Sequence, residues 1–190
     1  MNFNQNTFFL TQNLPKIDSF AKIKTQGFRV INDEIAAKKE FTSKFGEEIP
    51  NNFLIQKLKY FIHNDIVLEL GSGLGLWAAY LKQEKIKIFP SDISDNEAAF
   101  CSIYQSSAQK AVELIKTNCL FISHPPLNSQ DFYEAIQRYQ GEKLIFIENG
   151  VANCDKLLTE YIFRKFYIKE KYQLNGFGKT RHTMFLMKRK

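Results

Sequence analysis

Three groups of residues in this 190-residue chain have the types and spacing to do chemistry. The first is Glu69-Leu70-Gly71-Ser72-Gly73-Leu74-Gly75, an acid followed by glycines at every second position. The second is Asp92, which ends a short apolar run about 20 residues past the first glycine. The third is His124-Pro125-Pro126-Leu127, again directly after an apolar run. Alternating glycines let a chain turn sharply and bring its backbone against a ligand where a Cβ would clash. A carboxylate placed like Asp92 can accept hydrogen bonds from both hydroxyls of a ribose. It can equally cap the segment that follows, a role open also to Asp95, Asn96 and Glu97. In the third group a neutral imidazole could accept a hydrogen bond, or the two prolines could simply end a strand.

The elements that position these groups follow from their flanks. Residues 66–70 are apolar on both faces and β-branched in part, the pattern of a buried parallel strand. Residues 76–82 predict a short helix whose free N-terminal amides point back at the glycine turn. Strand, turn and helix together make a nucleotide-type pocket. A dinucleotide fingerprint would need a third glycine where Leu76 stands, and a phosphate loop would need Gly-Lys-Ser/Thr, which is missing. A second strand is predicted over 86–89, ending in Pro90-Ser91-Asp92.

The acid-x-Gly-x-Gly-x-Gly pattern resembles the first motif of class I S-adenosylmethionine-dependent methyltransferases. The resemblance implies that the backbone of Gly71, Ser72, Gly73 and Gly75 packs along the methionine and ribose of the cofactor, with Glu69 near its amino group and Asp92 on its ribose. It places Ser107 and Ala108 beside the adenine, where the family often has an acid-small pair and this chain has no acid. His124-Pro125-Pro126-Leu127 resembles the Asn/Asp/Ser-Pro-Pro-aromatic motif of enzymes that methylate amino nitrogens of planar groups. The implied acceptor contacts are His124 and the Pro125 carbonyl, whereas Leu127 cannot stack on a ring.

A narrower resemblance spans more of the chain. Phe45-Gly46-Glu47-Glu48-Ile49-Pro50, the glycine motif through Trp77, Ser123-His124-Pro125-Pro126-Leu127 and Tyr139-Gln140-Gly141-Glu142-Lys143 are similar to successive blocks of a little-characterised group of small methyltransferase-like proteins. That group typically has tryptophan where His124 stands and tyrosine where Leu127 stands, so both departures fall in the implied acceptor pocket. The resemblance leaves two function classes open, methyl transfer to an unidentified acceptor or a non-catalytic cofactor-binding module acting through a protein partner.

The remaining chain supplies alternating helices and strands. Residues 1–50 predict a polar arm and surface helices that could serve as a lid, ahead of a cofactor-binding domain over 51–190. Asn51 or Asn52 caps a helix with Phe53, Leu54, Leu58, Phe61 and Ile62 on its inner face. A third strand is expected within 100–105, a helix over 108–115, and a buried strand over Cys119–Ser123. A helix opened by Asn128 or Ser129 buries Phe132, Ile136 and Tyr139 and stops at Gly141. A strand over 144–148 follows, then a helix whose apolar face carries Leu157, Leu158, Tyr161, Ile162 and Phe166. Strands over 167–174 and 183–187 close the chain as an antiparallel hairpin turned at Gly176 and Gly178. This alternation defines an α/β fold with a mostly parallel sheet. The methyltransferase resemblance implies a Rossmann-like, seven-stranded sheet in the order 3-2-1-4-5-7-6.

Composition narrows the class further. Apolar residues make up 44% and charged residues 24%, as in ordinary globular proteins. No apolar run approaches the length of a membrane span, so no membrane partner is expected. Cys101, Cys119 and Cys154 have no paired spacing, and residues 1–6 lack a secretory leader's basic start. A cytoplasmic protein with reduced, buried thiols is expected. His63, His124 and His182 are too scattered for a metal site; Arg181-His182 could face the pocket from the last hairpin, with a surface turn the favoured place. Trp77 is expected in the core. The net charge of +6 admits a nucleic-acid partner on charge alone.

Overall fold

In the computed structural model, β1 (Val67–Leu70) lies inside a seven-stranded sheet in the order β3-β2-β1-β4-β5-β7-β6. The structure describes residues 50–95, 97–148, 155–175 and 181–190, with 39, 42, 43, 46 and 47 ahead of them. The expected arm, surface helices and lid, Cys154 and the turn at Gly176 and Gly178 therefore lie wholly or mostly outside the described residues.

Strand β1 pairs in parallel with β2 (Ile88–Asp92) and β4 (Cys119–Ser123), and β4 with β5 (Lys143–Glu148). All four β1 residues are buried, including Glu69. The chain closes with β6 (Phe166–Asn175) and β7 (Arg181–Arg189), and β7 inserts antiparallel between β5 and β6. The expected class, strand order and hairpin are those observed.

Alternation along the strands divides the core in two. Val67, Phe121, Ile145, Ile147, Met184 and Leu186 point to one face, against α1 (Asn52–Ile62) and α2 (Leu76–Gln83). Leu68, Leu70, Phe146, Phe185 and Met187 point to the other, against α3 (Ala108–Leu114), α4 (Gln130–Arg138) and α5 (Lys156–Lys165). Trp77 is in the first core, edge-on to Phe121 with ring centroids 5.7 Å apart.

Several boundaries differ from expectation. Asn51, not Asn52, caps α1, its side chain accepting from the Leu54 amide at 2.9 Å. Phe53 is 59% exposed, because it stands about 100° around the helix from Leu54, on the side away from Leu58. Ile55 fills the inner face instead. Strand β2 begins at Ile88 and carries Pro90 within it. That proline is tolerated because β3 pairs with β2 only from Ser91 onward, so its missing N–H removes no ladder bond. The third strand is just Tyr104–Gln105. Ser129 caps α4, which ends at Arg138 rather than Gly141. Leu157 is exposed, and Phe166 belongs to β6. No helix among the described residues is long and apolar enough to cross a membrane.

Candidate functional site

The carboxyl ends of the parallel strands bring the three sequence groups to one edge of the sheet. After Leu70 the chain passes through Gly71, Gly73 and Gly75, all with positive φ, and enters α2. A Cβ on Gly71 would meet Phe132 Cζ at 2.7 Å, so this glycine is required by the fold itself. A Cβ on Gly73 would meet nothing within 4 Å. The loop is thus packed down at its start and open at its crest.

Asp92 joins that crest. Its Oδ2 accepts from the Gly73 amide at 2.8 Å, and its Oδ1 accepts from the Ser94 amide at 2.9 Å. The Ser72 amide donates to the Ser91 carbonyl at 2.9 Å, so the loop and the end of β2 are stitched together at two successive residues. The carboxylate both caps its own turn and braces the glycine loop, and its remaining lone pairs face an exposed edge.

Glu69 lies beneath the loop and is 1% exposed. Among the described residues, its Oε2 and the Ser72 Oγ are buried without a hydrogen-bond partner. Burial pushes the Glu69 carboxyl up to about 8, against the downward pull of the Lys82 ammonium and with an upward push from Asp92. Buried polar atoms are normally satisfied, yet among the described residues no polar group reaches either of these two.

Ser107 and Ala108 stand where α3 begins. Ser107 is the N-cap, with Oγ accepting from the Lys110 amide at 3.3 Å. The Ala108 and Gln109 amides donate to the Asp131 carboxylate at 2.7 and 3.0 Å. An acid from α4 therefore occupies this helix start.

The acceptor-side motif follows β4. His124 has φ 50, an uncommon left-handed conformation for a non-glycine residue, and its amide donates to the Ile147 carbonyl at 3.1 Å. Its ring packs against His182, with centroids 4.5 Å apart and planes at 66°. His182 is 3% exposed on β7, which overturns its expected place on a surface turn. The alternation that puts Met184 and Leu186 on the α1–α2 face puts His182 there too. The alternative place, facing inward from the last hairpin, is the one observed; Arg181-His182 reads as polar turn sequence, and the alternation continuing to Met184 is the signal that favours burial. Leu127 is 55% exposed. Among the described residues, no group of three or more His, Cys, Asp or Glu is arranged to hold a metal.

A cleft of about 500 Å³, lined in part by Asp65, Lys116, Asn118, Arg138 and Gln140, opens near the opposite, amino-terminal ends of β1 and β4. Its Asp65 is already bound to Lys143 at 2.6 Å and to Asn118, so we place the chemistry at the glycine-loop edge.

Strand order, the glycine loop after β1 and the acid ending β2 define the class I methyltransferase fold. Solved structures with this fold include a protein of the NADB-Rossmann superfamily from Streptococcus agalactiae, 13% identical over 75% of this chain and 70% of that one, TM-score 0.56. Sp1610 of Streptococcus pneumoniae, solved with S-adenosyl-L-methionine, is 14% identical over 74% and 73%, TM-score 0.55. TrmK of M. capricolum, solved with its natural cofactor product S-adenosyl-homocysteine, is 14% identical over 73% and 69%, TM-score 0.52. No protein-family model matches the chain, and no curated protein matches it.

Proposed function

We propose that this protein transfers a methyl group from S-adenosylmethionine to an acceptor nitrogen presented at His124 and Pro125. The observation that carries this reading is the bond between the Asp92 carboxylate and the Gly73 amide. It joins a ribose-type acid to an open glycine loop at the switch point of the sheet, where ligands of open α/β folds bind. Two proteins with this fold are solved with the cofactor or its product, which supports the same ligand here. The local chemistry fits as well. The crest at Gly73 leaves room for a ligand, Asp92 offers lone pairs to hydroxyls, and Glu69 and Ser72 hold buried polar atoms without partners.

When bound, the cofactor supplies an activated methyl group. The chain's task is then to hold, align and exclude water. Gly71, Ser72, Gly73 and Gly75 give the backbone surface, Asp92 fixes the ribose, and Glu69 faces the amino-acid portion. Ser107 and Ala108 border the adenine, with Asp131 supplying the acid that the sequence after β3 lacks. At the other side, the His124 imidazole and the Pro125 carbonyl orient the acceptor's lone pair, and His182 fixes the His124 ring. Leu127 makes the outer wall apolar.

The test is incubation of the protein with methyl-labelled adenosylmethionine and fractions of host-cell RNA, protein and metabolites. Label appearing in one fraction, and lost with His124→Ala, is the expected result. Cofactor binding without label in any fraction would instead favour a non-catalytic binding module.

A further inference from the structure

Glu69 has an environment unlike that of any other acid at this edge. It sits on β1, two residues before Gly71, between Pro90 of β2 and Phe121 of β4 in the sheet register. Its side chain is enclosed, yet among the described residues Oε2 meets no donor. Across the same strand, its backbone carbonyl accepts from the Ser91 hydroxyl at 2.8 Å, so the backbone is satisfied while the carboxyl is not. Among the described residues, three ionisable groups face it from the surrounding elements. Lys82 approaches from α2, Asp92 from the end of β2, and Cys101 from the segment before β3. The Cys101 thiol is itself committed to the Gly75 carbonyl at 3.5 Å, and burial pushes it above its ordinary range. Lys82 is half-buried and pulls the carboxyl toward ionisation, but not far enough to overcome enclosure.

We propose that binding of a ligand with an ammonium group beneath the glycine loop is coupled to release of a proton from Glu69 to solvent. The proposal rests on the cofactor reading above, in which Glu69 faces the amino-acid portion of adenosylmethionine. In the free protein a lone buried carboxylate is unfavourable, and the group keeps its proton at neutral pH. An ammonium delivered to the unpartnered Oε2 supplies the missing donor and a compensating charge, which favours the carboxylate. The proton lost from the carboxyl goes to buffer; no other bond is made or broken. Glu69 therefore selects ligands by charge and makes affinity depend on pH. Below the free-state value of about 8, each unit of acidification weakens an ammonium ligand by up to about tenfold.

Calorimetry with two ligands separates this coupling from the reading beneath it. Adenosylhomocysteine carries the ammonium; methylthioadenosine shares its adenosine and thioether and lacks the amino-acid portion. At about pH 6.5, titrations in buffers of different ionisation enthalpy should show about one proton released with adenosylhomocysteine and about none with methylthioadenosine. Between about pH 6 and pH 8 the first ligand should tighten and the second should not. Because methylthioadenosine keeps the ribose, it also controls for Asp92. Glu69→Gln, which cannot ionise, should bind adenosylhomocysteine with flat pH dependence. Proton release equal for the two ligands, or pH-independent binding of adenosylhomocysteine to the wild-type protein, would overturn the coupling and leave the cofactor reading standing. Binding of neither ligand at any pH would overturn both.

Discussion

The glycine loop and the histidine pair lie on one edge of one sheet, yet they are built differently. The loop side is local: Glu69, Gly71, Ser72, Gly73, Gly75 and Asp92 fall within two consecutive strand-turn units and are bound to each other through Gly73–Asp92 and Ser72–Ser91. The acceptor side is remote. His124 follows β4, His182 comes from β7, and their rings meet only because β7 inserts antiparallel beside β5. A hydrogen-bonded local unit keeps its shape with little help from the rest of the fold. A pair brought together by sheet topology depends on the hairpin staying in register.

The largest expected effect breaks the local unit at its root. Gly71→Val puts a Cβ at 2.7 Å from Phe132 Cζ in a left-handed backbone conformation, and should cost about 3 kcal/mol or more of stability in urea unfolding. Gly73→Ala shares the positive φ but meets open space, and should cost only about 1 kcal/mol. Equal losses for the two would mean that the loop is not packed at its start and open at its crest.

Asp92→Ala should weaken adenosylhomocysteine by about 1.5–3 kcal/mol in calorimetry, since a charged acceptor and its brace to Gly73 are both lost. Asp95 is exposed, and Asp95→Ala should leave affinity within about twofold. Comparable losses for both would move the ligand away from the end of β2.

On the remote side, His124→Ala should lower methyl transfer by about tenfold or more while changing cofactor affinity by less than about twofold. His182→Ala should do the same by freeing the His124 ring. The double variant should be little worse than either single one, because the two rings act as a unit. Additive losses would show that they act separately, and loss of cofactor binding would make the pair structural.

This division also explains what was legible in the sequence. The glycine motif, the acid ending β2 and the strand-helix alternation are short-range patterns, and Asp92 does meet Gly73. Strand β3 was overestimated because two paired residues leave almost no pattern, and Pro90 hid the end of β2 because its tolerance depends on where β3 starts pairing. Phe53 was misplaced by a single residue of helical phase. Neither the pairing of His124 with His182 nor the reach of Asp131 to the start of α3 has a local signature, since each joins elements whose proximity only the completed sheet creates.

The most direct measurement of the central claim is a calorimetric titration of the wild-type protein with adenosylmethionine and adenosylhomocysteine at about pH 8, where about half of the Glu69 carboxyls have already lost their proton. Saturable one-to-one binding in the micromolar range, on the order of −8 kcal/mol, is predicted for each. No heat and no thermal stabilisation with either ligand would contradict the account.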